Sequence, residues 1–294
     1  MQTLVRTRGR PLLFLVLATL IAREGCRPEA APGAHHGLEL GLHPSPTYNL
    51  SYKDRTMTRR TRYSGADVSQ HIYDRGNNRQ RIFADEQDYA HFAAAMFRFA
   101  KKFDIAIHAW ALMPNHFHIL LTPSKPDTLP RFMQFLKSTY TTYFNMKNKR
   151  TGTIWEQRYK QLLADDQEYI LELYRYIELN PVRAGLTKGP RGFHWTSYHT
   201  NAMGVPSGGL IPHPFYLLLG TDEHERQQNY RDFIRAAFGK QRSFYEAQVA
   251  ILKTAAASIA VYGPEEFHKK ISERVTFALP HYQRLVIMTE QEGG

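Results

Sequence analysis

The chain has little cysteine and no long hydrophobic run. Its 294 residues contain one cysteine, which excludes an internal disulfide framework and a cysteine-based zinc site. No apolar stretch in the sequence is long enough to span a membrane. A hydrophobic content of 43% and an aromatic content of 13% suffice for a buried core, which excludes wholesale disorder. The length predicts one large domain or two modest ones.

Acidic residues are scarce relative to basic ones. The chain has 38 Lys and Arg against 27 Asp and Glu, a net charge of +11, and its pI is about 9.6. Most of the excess lies between residues 57 and 200, where basic residues outnumber acidic ones 21 to 13. This balance favours a polyanionic partner, and a solvated basic surface is the alternative explanation.

Residues 1–56 differ in composition from the rest of the chain. A basic start precedes an apolar stretch at residues 11–22, which has the outline of a signal peptide. The residues before Cys26 fit neither a small-x-small cleavage site nor a lipoprotein box. Three explanations are open. The gene start could be placed too early, with Met57 as the true start; the segment could be an export signal; or it could be an N-terminal tail of unexplained role. We favour the first and predict that this leader lies outside the folded domain.

A regular pattern of strands and helices begins at Val68. Apolar residues recur at helical spacing in three segments and alternate in shorter ones. The predicted strands are 68–73, 105–113, 116–122 and a fourth within 155–163, and the predicted helices are 85–102, 127–146 and 166–179. This order predicts a ferredoxin-like α+β domain over residues 57–205. Residues 206–294 are predicted to be a helical C-terminal extension, with helices over 230–275.

The third helix carries start and stop signals. Asp165 is the predicted N-cap, and Glu168 completes a capping-box pattern. Asn180-Pro181 is predicted to end the helix, because the residue before proline disfavours helical backbone angles.

Two histidines in the third predicted strand are the first candidates for chemistry. Side chains alternate along a strand, so His116 and His118 lie on one face and Phe117 on the other. Two imidazoles on one face can share a divalent cation. Structural histidines give the same pattern, so the spacing alone leaves both roles open.

The helix over 166–179 and the residue that follows it supply a phenol and an amide. Tyr176 and Asn180 are four residues apart and therefore lie on one helix face. Tyr176 also continues an apolar stripe, so packing in the core is the alternative for this residue. Asn180 has the alternative role of a helix-end residue.

Together these side chains suit phosphodiester cleavage. A phenol can attack phosphorus and form a covalent phosphotyrosine. A metal held by two imidazoles and an amide oxygen keeps positions open for phosphate oxygens, which it polarises. The mixed ligands favour Mg²⁺ or Mn²⁺, with Zn²⁺ as an alternative. Side chains in loops and at element ends that could hold a phosphate backbone, each also explained as an ordinary surface group, are Arg75, Arg79, Asn115, Arg158, Lys160 and Arg183.

Four motifs occur in order along this region. They are His71-Ile-Tyr-Asp-Arg-Gly-Asn-Asn-Arg79, Met113-Pro-Asn-His-Phe-His-Ile-Leu120, Trp155-Glu-Gln-Arg-Tyr159 and Tyr176-Ile-Glu-Leu-Asn-Pro-Val-Arg-Ala-Gly185. The set resembles the IS200-type single-tyrosine transposases and, more closely, their REP-associated branch. The resemblance covers about residues 57–200.

The resemblance implies an HUH fold and cleavage of hairpin-bearing single-stranded DNA. His116 and His118 match the family's metal pair, and Tyr176 matches its nucleophile, which forms a 5′-phosphotyrosine. Asn180 matches the third ligand position, where insertion-sequence members often carry glutamine. The resemblance leaves the oligomeric state open, since insertion-sequence relatives act as homodimers and REP-associated relatives can act as monomers. It also implies no membrane partner and a place in the bacterial cytoplasm at the nucleoid.

Other tyrosines and other function classes compete with this interpretation. Tyr174 is two residues from Tyr176 and is predicted to be a packing or surface residue. Tyr140 and Tyr143 are nucleophile candidates whose apolar stripe favours the core. Among functions, the alternatives are a non-catalytic nucleic-acid binder, an exported protein, and a metal hydrolase. For the hydrolase we find no suitable general base, since Glu178 is predicted to lie on another helix face.

Overall fold

The structure is a computed structural model that describes residues 62–236, 260–262, 266–267, 269, 271 and 286–287. All of them belong to one unit, Thr61–Thr289. The predicted leader and most of the predicted C-terminal extension lie outside the described residues.

The described residues include six strands and seven α-helices. The strands are β1 (Ser69–Arg75), β2 (Ile105–Met113), β3 (His116–Pro123), β4 (Lys160–Ala164), β5 (Ala260–Tyr262) and β6 (Val286–Ile287). The helices are α1 (Glu86–Lys102), α2 (Thr128–Lys147), α3 (Gln167–Glu178), α4 (Asn180–Arg183), α5 (Tyr198–Met203), α6 (Pro214–Leu217) and α7 (Glu223–Ala236). Short 3₁₀ turns occur at Asn77–Arg79 and Pro190–Gly192. None of the helices in this part of the chain is long and apolar enough to cross a membrane.

The strands form one sheet in the order β2-β3-β1-β4-β5-β6. The first four pair with one another in antiparallel fashion, and with α1 and α2 they follow the chain order strand–helix–strand–strand–helix–strand. This is the predicted ferredoxin-like α+β fold, and the helices α6 and α7 confirm a helical part after it. β5 and β6 add to the β4 edge in parallel. Backbone bonds between β2 and the segment around Thr196 cover the other edge.

The face of the sheet that carries Phe117 packs against α1 and α2. Alternation along β3 places Ile119 and Leu121 on this side as well, and all three are fully buried. The helices contribute Phe92 and Phe132, which belong to the same buried cluster. Burial of each such side chain contributes about 1.5–3 kcal/mol to folding. This core therefore holds the histidine-bearing strand in place from behind.

The opposite face of the sheet carries small residues and α3. The register pairs Ala111 with His118, and Ala109 lies two residues earlier on the same face of β2. Both alanines are fully buried in one cluster with Leu173 and Ile177 of α3. Small side chains at these positions let a helix approach the sheet closely. The tyrosine-bearing helix is thus packed on the histidine face.

Two local predictions are wrong. Asp166, not Asp165, is the N-cap of α3: its backbone is extended and its carboxylate accepts from the Tyr169 amide. Adjacent aspartates give the same sequence signal, and the backbone angles decide between them. Residues 260–262, predicted to be helical, form β5, because they complete a ladder along β4.

A buried polar network lies on β2 away from the histidine pair. His108 bonds through Nδ1 to the Ile211 carbonyl and through Nε2 to Thr122. Ser69 bonds to Thr122 and to Nε2 of His213. Both histidines are more than nine-tenths buried. Burial lowers the pKa of His108 to about 4, and burial with the neighbouring His108 lowers the pKa of His213 to about 3.

The first prediction concerns stability at low pH. The folded-state pKa values lie below the unfolded value of about 6.5, so the stability is fully present above pH 6.5 and falls as the unfolded chain takes up protons. At pH 5 each of the two histidines is expected to cost roughly 2 kcal/mol of unfolding free energy. His213→Asn, which can still cap α6, should lose less stability between pH 7.5 and 5 than the unsubstituted chain in urea denaturation. An equal loss of unfolding free energy in the two proteins would contradict the lowered pKa of His213.

Candidate active site

The register of β1 and β3 assembles the centre of the site. It pairs Tyr73 with His118 and Arg75 with His116, so these four side chains share one face of the sheet. His71 is two residues before Tyr73 and lies on the same face. The predicted common orientation of the two motif histidines is confirmed: their ring centroids are 5.1 Å apart.

The ring of Tyr176 lies against this histidine cluster. Its centroid is 5.5 Å from that of His118 and 5.8 Å from that of His71, in edge-on arrangements. Tyr176 is 4% exposed. The phenol is therefore enclosed, but it is enclosed beside the imidazoles and not in the core behind the sheet.

Each motif histidine is bonded through its Nδ1 atom. Nδ1 of His116 is 2.7 Å from Oδ1 of Asn115, and because this oxygen can only accept, the imidazole donates. Nδ1 of His118 is 2.9 Å from Nε2 of His71. A hydrogen bond at Nδ1 fixes the orientation of each imidazole.

Asn180 and Arg183 hold the end of the tyrosine helix. α3 ends at Glu178, close to the predicted end, but Asn180 and Pro181 do not leave the helical conformation as predicted: they begin α4 directly after Leu179. The amide of Asn180 donates to the Tyr176 carbonyl over 3.4 Å, and its side chain also bonds to His116. Arg183 donates to the same carbonyl at 3.0 Å and stacks over the Tyr176 ring, 5.0 Å from its centroid.

Three of the four motifs meet at the end of β1. The Gly76 amide donates to the Asn115 carbonyl, and the Asn77 amide donates to the Ile154 carbonyl just before the third motif. A Cβ atom at Gly76 would lie 2.4 Å from the Gln80 carbonyl oxygen, so the turn needs glycine there. Asn78 has a positive φ of 50°, which asparagine tolerates.

Two of the predicted DNA contacts flank the histidine pair. Arg75 is exposed and forms an ion pair with Glu156. Lys160 is partly buried, with its ammonium 5.7 Å from the Tyr73 ring centroid, and burial followed by the charge of Arg75 lowers its pKa. Two cations therefore lie at the rim of the site, and Glu156 pairs with one of them.

The remaining predicted DNA contacts have different surroundings. Arg79 is exposed on the turn after β1, and its carbonyl accepts from the Asn115 amide. Asn115 thus orients His116 in this structure. Arg158 is exposed near Arg62, whose pKa is lowered by burial and, further, by the charge of Arg158.

Burial keeps the site imidazoles uncharged. It lowers the pKa of His116 to about 4, with a further contribution from Arg75, and it lowers the pKa of His71 to about 3. Burial also lowers the pKa of His118 well below its usual value, and the neighbouring His116 adds to this shift. Neutral imidazole is the form that binds a metal ion.

The competing tyrosines lie elsewhere. Tyr140 is fully buried behind the sheet, and Tyr143, on the same helix, donates to Asp88 over 3.1 Å. The Tyr174 hydroxyl accepts from the His213 amide at 3.0 Å, so the prediction of a packing role is confirmed. Glu178 is also on another helix face, where its buried carboxylate accepts from three residues: Ser197, Asn201 and Tyr230.

The donor atoms suit a metal held by two imidazoles and an amide. His116 and His118 are neutral and adjacent, and Asn180 contacts His116. Within the described ranges, no group of three or more His, Cys, Asp or Glu side chains is arranged as a metal site. A third protein ligand here would therefore be the amide oxygen of Asn180, with positions left for water or phosphate.

A family model described as Transposase IS200 like matches residues 65–180. The resemblance to IS200-like transposases is confirmed. We refer to residues 65–180 as the IS200-like region, and it contains the histidine pair, Tyr176 and Asn180.

The IS200-like region also has individual relatives. A Haemophilus influenzae protein described as a REP-associated tyrosine transposase is 25% identical over 101 residues, which are 31% of this chain and 57% of that protein. The chain therefore spans little more than half of this relative. A solved REP-associated tyrosine transposase bound to a REP hairpin is 19% identical with a TM-score of 0.44, over 54% of this chain and 96% of that one. A Deinococcus radiodurans crystal structure described as a transposase is 18% identical with a TM-score of 0.30. The match covers 41% of this chain and 95% of that one.

Sequence reasoning missed His71 as a site residue within the IS200-like region. It lies in the first motif, two residues before Tyr73 and four before Arg75. Because alternate residues of a strand share a face, the assignment of Arg75 to the site already implied His71. Its contact with His118 needed the three-dimensional structure.

Proposed function

We propose that this chain is a tyrosine transposase that cleaves and rejoins single-stranded DNA through Tyr176. The observation that carries the proposal is the 5.5 Å separation between the rings of Tyr176 and His118. A phenol beside two neutral imidazoles combines a nucleophile with a metal-binding pair. The family match over residues 65–180 supports the same assignment.

Tyr176 supplies the nucleophile in the proposed reaction. Its oxygen forms a bond to the scissile phosphorus while the bond from phosphorus to the 3′ oxygen breaks. The departing oxygen takes up a proton, and the phenol loses one, so the step consumes no cofactor. The products are a 5′-phosphotyrosine and a free 3′-hydroxyl, and attack by a second 3′-hydroxyl reverses the step and joins new strands.

His116, His118 and Asn180 would hold the divalent cation, Mg²⁺ or Mn²⁺. The bound ion would polarise a non-bridging phosphate oxygen and so make the phosphorus more electrophilic. Asn115 orients the imidazole of His116, and His71 orients that of His118. The Asn180 amide donates a hydrogen bond to the Tyr176 carbonyl, in the last turn of the tyrosine helix. The helix end and the metal position are therefore linked through one side chain.

The enclosed phenol requires a movement before DNA can react. Tyr176 and His118 are each 4% exposed, whereas His116 is half-buried. We infer that the phosphate enters from the His116 side, along the rim of Arg75 and Lys160, and that α3 shifts to admit it. The name of the Haemophilus influenzae relative links it to REP elements, and we propose hairpin-forming palindromic DNA as the substrate here.

Several coarser proposals accompany this function. We propose residues 57–205 as the catalytic domain and the bacterial cytoplasm, at the nucleoid, as its place of action. A homodimer stays a prediction. The alternative function is a relative that binds nucleic acid without cleaving it.

The second prediction tests cleavage directly. A 5′-labelled oligonucleotide with a palindromic hairpin and a flanking single strand should be cut in Mn²⁺, and EDTA should abolish the cut because it removes the ion. The measurement is a denaturing gel with parallel lanes for a scrambled oligonucleotide. Tight hairpin binding without any cut in Mn²⁺ or Mg²⁺ would support the non-catalytic alternative.

A further inference from the structure

His71 is a buried imidazole directly beside the motif histidines. Its side chain is fully buried, and its ring is stacked at 5.1 Å from that of His118. Its Nε2 atom is 2.9 Å from Nδ1 of His118. Its own Nδ1 atom is buried without a hydrogen-bond partner among the residues that the structure describes. The polar contact of His71 in this region is thus the bond to His118.

Two proton arrangements are compatible with this bond. In the first, Nδ1–H of His118 donates to His71, whose own proton then lies on Nδ1. In the second, Nε2–H of His71 donates to His118, whose proton then lies on Nε2. Only the first leaves a lone pair on Nε2 of His118, because a neutral imidazole has one N–H and one acceptor nitrogen.

We propose that His71 is the positioning residue of His118: it accepts the Nδ1–H of His118 and so leaves the Nε2 lone pair of His118 for a divalent cation. This inference rests on the proposed function, in which His118 is a metal ligand. Asn115 has the same relation to His116, since its Oδ1 atom accepts the Nδ1–H of that ring. The two ligands would then each have a dedicated acceptor.

The position of the proton on His71 would also be coupled to the bound cation. The favourable arrangement for metal binding places a proton on Nδ1 of His71, where it has no acceptor among the described residues. That arrangement is unfavourable without the cation, because a buried donor is left unsatisfied. A cation on Nε2 of His118 excludes the other arrangement, and it therefore fixes the protons of both rings.

The experiment compares two substitutions at His71 in the full chain. His71→Gln can still offer an acceptor oxygen to His118, whereas His71→Phe keeps a stacked ring and offers none. By Mn²⁺ titration calorimetry we expect His71→Phe to bind about 10- to 100-fold more weakly and His71→Gln to retain most of the affinity. His213→Asn, which removes a buried histidine outside the site, should bind Mn²⁺ like the unsubstituted chain.

A measurement on the unsubstituted chain covers the case in which His71→Phe does not fold. Nitrogen NMR shifts of the chain loaded with Zn²⁺, a diamagnetic probe, should show His71 protonated on Nδ1. Protonation on Nε2, or equal Mn²⁺ affinity of folded His71→Phe and the unsubstituted chain, would overturn the inference and leave the proposed function intact. Failure of the unsubstituted chain to bind Mn²⁺ or Zn²⁺ would overturn the metal site and this inference together.

Discussion

Tyr176→Phe is expected to abolish covalent attachment to DNA and to lower strand cleavage by at least about 10³-fold. The substitution removes the attacking oxygen and keeps the ring that packs against His118 and His71. The contacts of Arg183 and Asn180 are made to the Tyr176 carbonyl, so they should persist. Hairpin affinity, measured by fluorescence anisotropy, should therefore change little.

The matched control for this experiment is Tyr143→Phe. Tyr143 is a half-buried tyrosine on α2, and its hydroxyl bonds to Asp88, on the other side of the sheet from the histidines. Its substitution should leave the adduct, seen as a retarded band on a denaturing protein gel, at the unsubstituted level. An adduct that persists in Tyr176→Phe and disappears in Tyr143→Phe would identify Tyr143, and not Tyr176, as the nucleophile.

His116→Ala is expected to lower cleavage by about 10²- to 10⁴-fold and to weaken Mn²⁺ binding. The expected loss follows from the removal of a proposed metal ligand and, with it, of the charge stabilisation that the ion would give to the phosphate, which would be worth several kcal/mol. His116 is half-buried at the open side of the site, so its removal should perturb the core less than removal of His118. Cleavage is measured over a range of Mn²⁺ concentrations.

Two comparisons separate a metal ligand from a structural residue at His116. Excess Mn²⁺ should restore part of the lost cleavage, because a weakened site still fills at high concentration. His194→Ala, which removes an exposed histidine elsewhere on the chain, should have no effect at any concentration. A loss at His116 that no amount of Mn²⁺ recovers, with normal Mn²⁺ affinity, would contradict the ligand role.

Much of the fold could be predicted because local patterns and tertiary packing agree. β2 has the predicted bounds, since its apolar run ends at a Pro-Asn turn. The histidine pair and Phe117 lie on opposite faces of the sheet because successive side chains of a strand alternate between the two faces. The tyrosine helix was predicted from its stripe, and the stripe is what packs over Ala109 and Ala111.

The parts that could not be predicted depend on pairings between distant residues. β5 forms because residues 260–262 meet β4, almost one hundred residues earlier in the chain, and no local pattern indicates this ladder. The bond between His71 and His118 depends on how β1 lies beside β3. The choice of Asp166 over Asp165 as N-cap depends on backbone angles that two adjacent aspartates do not specify.

The most direct test of Tyr176 as the nucleophile is to locate the bond between protein and DNA. The chain is trapped on a hairpin oligonucleotide in Mn²⁺, digested with nuclease and trypsin, and analysed by tandem mass spectrometry. Arg175 separates Tyr174 from Tyr176, so trypsin can release Tyr176–Arg183 as its own peptide. We predict that the 5′-nucleotide is attached to Tyr176 in this peptide. Attachment to Tyr140, Tyr143 or Tyr174 would contradict the proposed mechanism.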